Sequence, residues 1–404
     1  MKILVISHFI PYPPHGGSLQ RNFNLLREAS KTNEIYLLTF TQRKLLPDEK
    51  KLDESVKMLR KYCKYLKVFK IPTDYNKIKW YILLFLNLFS FTPYSVWRFR
   101  SKTMSREIKR QLKHNCFDMI QIDTIALAQY ASFGPDLPKI LVHQNVESGL
   151  LLRRSLNERN PLSRIYLYLQ ARKLKNYEKI VAGRFDANIT VSGLDKEELN
   201  RLTRGAKFEV IPNGTDIDYF TPKGKTNSKH LVFTGGMTWY PNKDAMLHFC
   251  SEIYPLIKEK MPDVEMDVVG RFPPPRLQKI AREEPSIKLR GYVDDVRDYV
   301  HQAAVYVVPI RVGGGTRLKI LDAFACGKAV VSTSVGCEGL EVTPGENILI
   351  GDSPSEFANQ VVNLLKDERL RTKLGVNARK LVMEKYSWEK IGQIQNSIYE
   401  RMGK

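Results

Sequence analysis

AVYVVPI, residues 304–310, runs straight into RVGGGTRLKILDAFACG, residues 311–327, and the join between them decides the fold. The leading run is apolar and largely β-branched, as a strand covered on both faces would be. Past the glycines, Leu318, Leu321 and Ala325 recur at helical spacing and form one apolar stripe. A strand that enters a glycine turn and leaves as a helix is half of a crossover between parallel strands. Unpaired backbone N–H groups and the helix dipole favour an anion at such a turn, where Thr316 adds a hydroxyl and Arg317 and Lys319 add charge. The same glycines would equally serve a plain tight turn. Two other phosphate loops are excluded. A Walker A loop needs its Gly-Lys pair at the head of the helix, whereas Gly327-Lys328 follows it, and a dinucleotide fingerprint needs glycine where Leu318 stands. Asp322, about two turns beyond Gly315 on much the same side, is placed either to accept from ribose hydroxyls or to pair with Lys319.

The alternation extends in both directions. KILVISHFI, EIYLLTF, FDMIQID, PKILVHQN, DANITVS and FEVIPNG read as strands upstream, and LVFTGGM, MDVVGRF, IKLRGYV, AVVSTSV and ENILIGD accompany the first stretch downstream. Between the two sets, TPKGKTNSKH has the composition of a linker. The pattern predicts an α/β protein with two doubly wound, Rossmann-like parallel-sheet domains, 1–218 and 219–404, facing a central cleft. Ser353 and Glu356 bracket a capping box with Pro354 at the first helical position, so a helix should start there. Ligands in open parallel sheets sit beyond the carboxyl ends of the strands. That rule directs attention to Gly16, Gly17, Asp123, His143, Asn213, Gly235, Gly236, Gly270 and Arg271.

The chain has 404 residues, 43% of them hydrophobic, and its 64 Lys+Arg against 43 Asp+Glu leave a net charge of +21. That excess calls for an anionic partner, either nucleic acid, a phosphate-bearing small molecule or a membrane surface. Without a helix-turn-helix, RNA-recognition or zinc-finger signature, nucleic acid is set aside. Many cations crowd into residues 43–80, whose plain reading is a solvated helix face, and WYILLFLNLFSF follows at 80–91. That run is shorter than the roughly 20 apolar residues a bilayer span takes, so it either lies on a membrane or joins the core. Five scattered cysteines without a CxxC pair point to reduced thiols in a cytoplasmic protein with no zinc site. MKILVISHFIPYPP contains His8 and leads into prolines, which fits a buried first strand better than a signal peptide.

Taken together, PYPPHGGSLQRNFNLL, VIPNGTDIDYF, FTGGMTWYPNKDAM, GYVDDVRDYV and GGGTRLKILDAFACGKAVVST resemble GT-B glycosyltransferases of the retaining family 4, particularly bacterial members that assemble surface polysaccharides. The likeness extends over essentially the whole chain. It implies transfer of a sugar from a UDP- or GDP-sugar to a glycan or lipid-linked acceptor, with retention and without a metal or other cofactor. The acceptor would bind the N-terminal domain and the donor the C-terminal one, with a terminal helix of about 386–404 crossing back. The resemblance assigns Gly314, Gly315, Thr316, Arg317 and Lys319 to the diphosphate loop, Asp322 to the ribose and Lys243 to diphosphate oxygens. Gly270, Arg271 and Val293 would line the base pocket, and Gly16 and Gly17 would close over diphosphate and sugar. Gly236 stands where many members carry arginine, a charge that Arg311 or Arg317 would have to replace. His143, Asp322 and Arg317 make up the catalytic set, with His143 beside the donor sugar, although a lone histidine is as readily a structural residue. Gly314 replaces the first of the family's two paired acids, the one that reads donor-sugar hydroxyls. Two other functions fit the same architecture, a nucleotide-sugar epimerase and a non-catalytic binding subunit. WYILLFLNLFSF beside the lysine-rich segment, in the domain that would bind the acceptor, suggests that this cytoplasmic protein is peripheral on the inner face of the cell membrane, with a buried aromatic-rich helix as the equal alternative.

Overall fold

The computed structural model describes residues 1–14, 16–42, 48–74, 76–156, 158, 160–203, 205–224, 226–313 and 315–403. The chain divides into two compact units, Met1–Pro212 with Ile391–Lys404, and Asn213–Lys390.

The first unit is built on seven strands, β1 (Lys2–Ser7), β2 (Glu34–Thr41), β3 (Tyr65–Lys70), β4 (Met119–Ile122), β5 (Lys139–Val142), β6 (Ala187–Thr190) and β7 (Phe208–Val210). They pair in parallel in the order β3-β2-β1-β4-β5-β6-β7. The central strands are buried along almost their whole length because helices cover both faces, which is why they read as unbroken apolar runs. β3 was not expected. YLKVFK lies in the lysine-rich region read as a solvated helix, between the helix Glu49–Leu59 and the helix that starts at Lys77. β3 is an edge strand, with Phe69 buried and Lys67 and Lys70 outside, so its lysines are the ordinary protection of a sheet edge.

The second unit repeats the plan with six parallel strands, β8 (Asn227–Thr234), β9 (Glu265–Val269), β10 (Ile287–Gly291), β11 (Ala303–Val308), β12 (Ala329–Ser332) and β13 (Leu349–Ile350). Their order is β10-β9-β8-β11-β12-β13. Its core joins Leu231, Phe233, Val305 and Val307 of the sheet to Phe249, Ile253 and Phe357 of the flanking helices. The capping box forms in full: Ser353 Oγ accepts from the Glu356 N–H at 3.2 Å, and Glu356 Oε2 accepts from the Ser353 N–H at 3.0 Å.

The junction falls inside VIPNGTDIDYF, ahead of the composition change at 218. Ile211 and Pro212 belong with the first unit because the buried Arg21 guanidinium donates to both of their carbonyls, at 2.7 Å each. From Asn213 on, the chain is tied to the second unit: the Thr215 N–H donates to the Tyr386 carbonyl at 2.8 Å and the Trp388 N–H to the Thr215 carbonyl at 3.3 Å. A Cβ on Gly214 would sit 2.9 Å from the Trp388 ring and from the Tyr386 carbonyl oxygen, so glycine alone fits between them. The last helix, Trp388–Met402, starts in the second unit and continues from Ile391 as part of the first, where Tyr399 donates to Gln121 and Arg401 pairs with Glu209.

Candidate functional site

In the second sheet the winding reverses between β8 and β11, and at such a switch point the loops leaving two adjacent strands part and open a crevice. The loop after β8 is Gly235-Gly236. The loop after β11 is the glycine stretch, which ends at the N-terminus of the helix Leu318–Ala325. Both expected phosphate-side loops therefore leave the sheet at the position where a ligand is best received.

Backbone conformation explains the glycines. Gly313 and Gly315 have φ of 122° and 74°, which a side chain rarely tolerates. Gly314, expected to replace an acid, lies outside the described residues. Gly270 answers to crowding: a Cβ there would stand 2.0 Å from the Gly235 carbonyl oxygen. Gly270 also donates its N–H to the Gly291 carbonyl at 2.8 Å, and the Met237 N–H reaches the Arg271 carbonyl at 2.9 Å. These contacts bring the turns after β8, β9 and β10 into one surface. On it, the Arg271 guanidinium lies 3.8 Å from the centre of the Tyr292 ring, which is 54% exposed, with Val293 half-buried beside it.

The charged side chains gather on the β8 and β11 loops. Arg317 is 4% exposed, donates to the Gly315 carbonyl at 2.5 Å and lies 5.5 Å from the Trp239 ring centre. Lys319 donates to Asn242 Oδ1 at 2.8 Å, and Asn242 in turn donates to the Gly236 carbonyl at 3.0 Å. Lys243 is exposed on the helix Tyr240–His248. Arg311, a candidate for the cation missing at Gly236, is held by both oxygens of Asp244 at 3.1–3.2 Å.

Thr316 and Asp322 are positioned by residues whose part was not foreseen. Thr316 Oγ1 accepts from Asn213 Nδ2 at 2.6 Å, and Asp322 Oδ1 accepts from Thr215 Oγ1 at 2.6 Å. The VIPNGT segment thus braces the phosphate-side helix at two points. No ion pair forms between Lys319 and Asp322, since each has taken a different partner. Burial pushes the Asp322 carboxyl up to about 7; the Thr215 hydrogen bond works against that rise, and nearby Asp216 reinforces it.

The remaining candidates lie in the first unit. Gly16 has φ 107° at the start of the helix Gly17–Ala29, and nothing lies within 4 Å of a Cβ placed there. Its requirement for glycine is therefore conformational and owes nothing to crowding. Gly17 is exposed on the first turn of that helix. His143 follows β5 as expected, but its ring points into the sheet: it is 2% exposed, with Nε2 3.1 Å from Asn188 Oδ1, and its N–H donates to the Ile189 carbonyl at 2.7 Å. Burial lowers its pKa to about 4 against the opposing Asn188 contact, so the imidazole is neutral. At the switch point of this sheet, beyond β1 and β4, Asp123 accepts from Asn22 at 3.1 Å and from Gln121 at 2.9 Å. Burial raises Asp123 to about 6.

Two parallel sheets, each wound about a switch point, with the glycine loop and its cations on the second, define the GT-B class. Residues 228–367 match the family model described as glycosyl transferases group 1. The match places a group 1 glycosyltransferase domain in the second unit, and with the two-sheet fold around it the chain is a glycosyltransferase. Along 96% of its length it is 22% identical to 97% of an uncharacterized 44.6 kDa protein in the cps region of Klebsiella pneumoniae. Among solved structures, sucrose-phosphate synthase from Thermosynechococcus elongatus superposes with a TM-score of 0.72 at 16% identity, covering 100% of this chain and 99% of that one. Anabaena HepE in complex with UDP superposes with a TM-score of 0.68 at 14% identity over 99% of this chain and 100% of that one.

Proposed function

We propose that the protein transfers a sugar from a nucleoside diphosphate sugar, UDP- or GDP-linked, to a glycan or lipid-linked acceptor, with retention at the anomeric carbon and no metal. The observation that carries this reading is the gathering of Arg317 and Lys319 at the N-terminus of the helix Leu318–Ala325, at the switch point of the second sheet and about one helix turn before Asp322. The departing diphosphate needs its developing charge stabilised, and fixed cations with amide donors do that without reorganising. Asp322 accepts from the ribose hydroxyls through the oxygen that Thr215 leaves open. Arg271 and the exposed Tyr292 ring offer the base a flat face. The UDP named with HepE favours a uridine donor, and the full-length likeness to a protein in a cps region favours surface polysaccharide or glycoconjugate assembly as the setting. An epimerase or a binding subunit is not favoured by the family match. Turnover of the cognate donor is expected to survive excess EDTA, and the product's anomeric proton coupling is expected to match the donor's. Activity abolished by EDTA and restored by magnesium would contradict the metal-free reading.

We further propose that the protein works in the cytoplasm against an anionic membrane face. No helix among the described residues is long and apolar enough to cross a membrane. The helix Lys77–Leu88 and the residues after it instead leave apolar side chains in water, Phe89 at 77% and Phe91 at 99% exposure, as does the start of the helix Pro161–Val181, with Leu162 at 80%. The two helices are pinned together where Gln170 donates to Asn87 Oδ1 at 2.9 Å and Lys173 to the Asn87 carbonyl at 2.7 Å. Residues 76–106 contain no Asp or Glu, and the one acid in 161–181, Glu178, is buried, so the exposed charge carried by these two segments is cationic. Apolar insertion and attraction to anionic headgroups add on such a surface. The protein is expected to sediment with phosphatidylglycerol vesicles at low salt, and the triple change Phe85→Ser, Phe89→Ser, Leu162→Ser is expected to release it. Wild-type protein left in the supernatant would contradict the contact.

A further inference from the structure

Glycines aside, Phe272 alone among the described residues has a positive φ, 60°. A bulky side chain is seldom carried in the left-handed region, because its Cβ crowds the following carbonyl oxygen. Pro273 comes next, and a residue before proline is ordinarily extended. The backbone is held there from both sides: the Arg271 carbonyl accepts from the Met237 N–H at 2.9 Å, and the Pro273 carbonyl accepts from Gln278 Nε2 at 2.8 Å. The outcome is an aromatic ring left in water at 69% exposure, with no ring or cation of the described residues packed on it. Packing therefore does not account for phenylalanine at a position that suits glycine. Strain that the surroundings hold in place is found where a ligand is clamped. Phe272 lies on the turn leaving β9, which is two strands removed from β11 and so about 10 Å from it across the sheet. The Arg271 guanidinium, on the same turn, covers the Tyr292 ring at 3.8 Å. With the diphosphate at the loop after β11, these turns are where the donor reading puts the base.

We infer that the nucleobase of the donor stacks on the Phe272 ring, and that the left-handed backbone is retained because it aims the ring at the base. The inference rests on the donor reading above and adds to it the residue that grips the base. Stacking on an aromatic face is open to any base, since every base has a π-face. Phe272 accordingly strengthens the hold on a nucleoside diphosphate without choosing between uracil and guanine. A turn already fixed by Met237 and Gln278 loses little freedom when the base arrives, so more of the stacking energy appears as affinity.

The test is calorimetry of UDP and of GDP binding to the full chain as wild type, Phe272→Tyr, Phe272→Leu and Phe272→Gly, with a melting curve for each. For whichever nucleotide the wild type binds, Phe272→Tyr, which keeps the ring, is expected to bind within about twofold. Phe272→Leu and Phe272→Gly are each expected to bind about tenfold more weakly. Phe272→Gly should also melt above Phe272→Leu, because glycine relieves the backbone. Lost affinity in the more stable variant then cannot come from a damaged fold. Wild-type affinity in Phe272→Leu would overturn the inference, since bulk without a ring would suffice, and so would a Phe272→Tyr as weak as Phe272→Gly. A Phe272→Gly that melts no higher than Phe272→Leu would remove the strain on which the inference stands. Each of these results leaves the donor reading intact, whereas failure of the wild type to bind either nucleotide would remove that reading and the inference with it.

Discussion

Replacing Asp322 by asparagine is expected to make the protein more stable above neutral pH and to cost it most of its activity. The folded-state pKa of about 7 lies above the ordinary aspartate value, so the folded protein holds that proton more tightly than the unfolded chain. The favourable contribution is complete below about pH 4 and is lost as pH rises through about 7, where the carboxylate becomes charged in a half-buried position. Asparagine keeps an oxygen for the Thr215 hydroxyl and carries no charge to desolvate. The variant should therefore melt higher than wild type at pH 8 and no higher at pH 4. A carboxylate also accepts from two ribose hydroxyls where an amide oxygen serves less well, so donor turnover is expected to fall about tenfold to hundredfold. Melting curves at the two pH values, with nucleotide release measured beside them, check both halves. Equal stability at pH 8 would show that the burial of Asp322 carries no cost.

Gly270→Ala is expected to have the largest effect on stability of any single methyl addition at the site. The new Cβ would lie 2.0 Å from the Gly235 carbonyl oxygen and 2.7 Å from its carbon, both backbone atoms at the ends of adjacent strands, so β8 and β9 would have to separate locally. Overpacking of this kind costs about 3 kcal/mol or more. Nucleotide affinity should fall with it, because the Gly235-Gly236 turn moves. Gly236→Ala is the contrasting case: its Cβ would find nothing nearer than Thr238 Oγ1 at 3.9 Å, so the fold should be unaffected. Denaturant midpoints for the pair separate crowding from any general intolerance of side chains on the loop.

The two sheets were legible because parallel strands buried on both faces leave an unmistakable trace: Leu4, Ile120, Val232 and Val305 sit in runs that no amphipathic element would carry. β3 escaped for the complementary reason, since an edge strand faces water and its lysines imitate a solvated helix. The glycine loop was legible as a strand-to-helix turn from local spacing alone. What supports it was not. Asn213 and Thr215 lie about a hundred residues from Thr316 and Asp322. Their hydrogen bonds depend on where VIPNGT leaves the first unit, which no local periodicity reveals. Arg311 was read as one of two cations able to stand in at Gly236, and its partner Asp244, 67 residues away, is not indicated by local spacing. His143 was correctly placed at a strand end, whereas the direction of its ring follows from Asn188 on the neighbouring strand.

The central claim, a nucleoside diphosphate sugar held by the loop after β11, is tested most directly by nucleotide release. UDP-, GDP- and ADP-sugars would be offered in turn with a membrane extract as acceptor source, to wild-type protein and to the Asp322→Ala and Arg317→Ala variants. One donor class is expected to release nucleotide in an extract-dependent way, with both substitutions lowering the rate at least about tenfold. Release that is unchanged by either substitution would contradict the site.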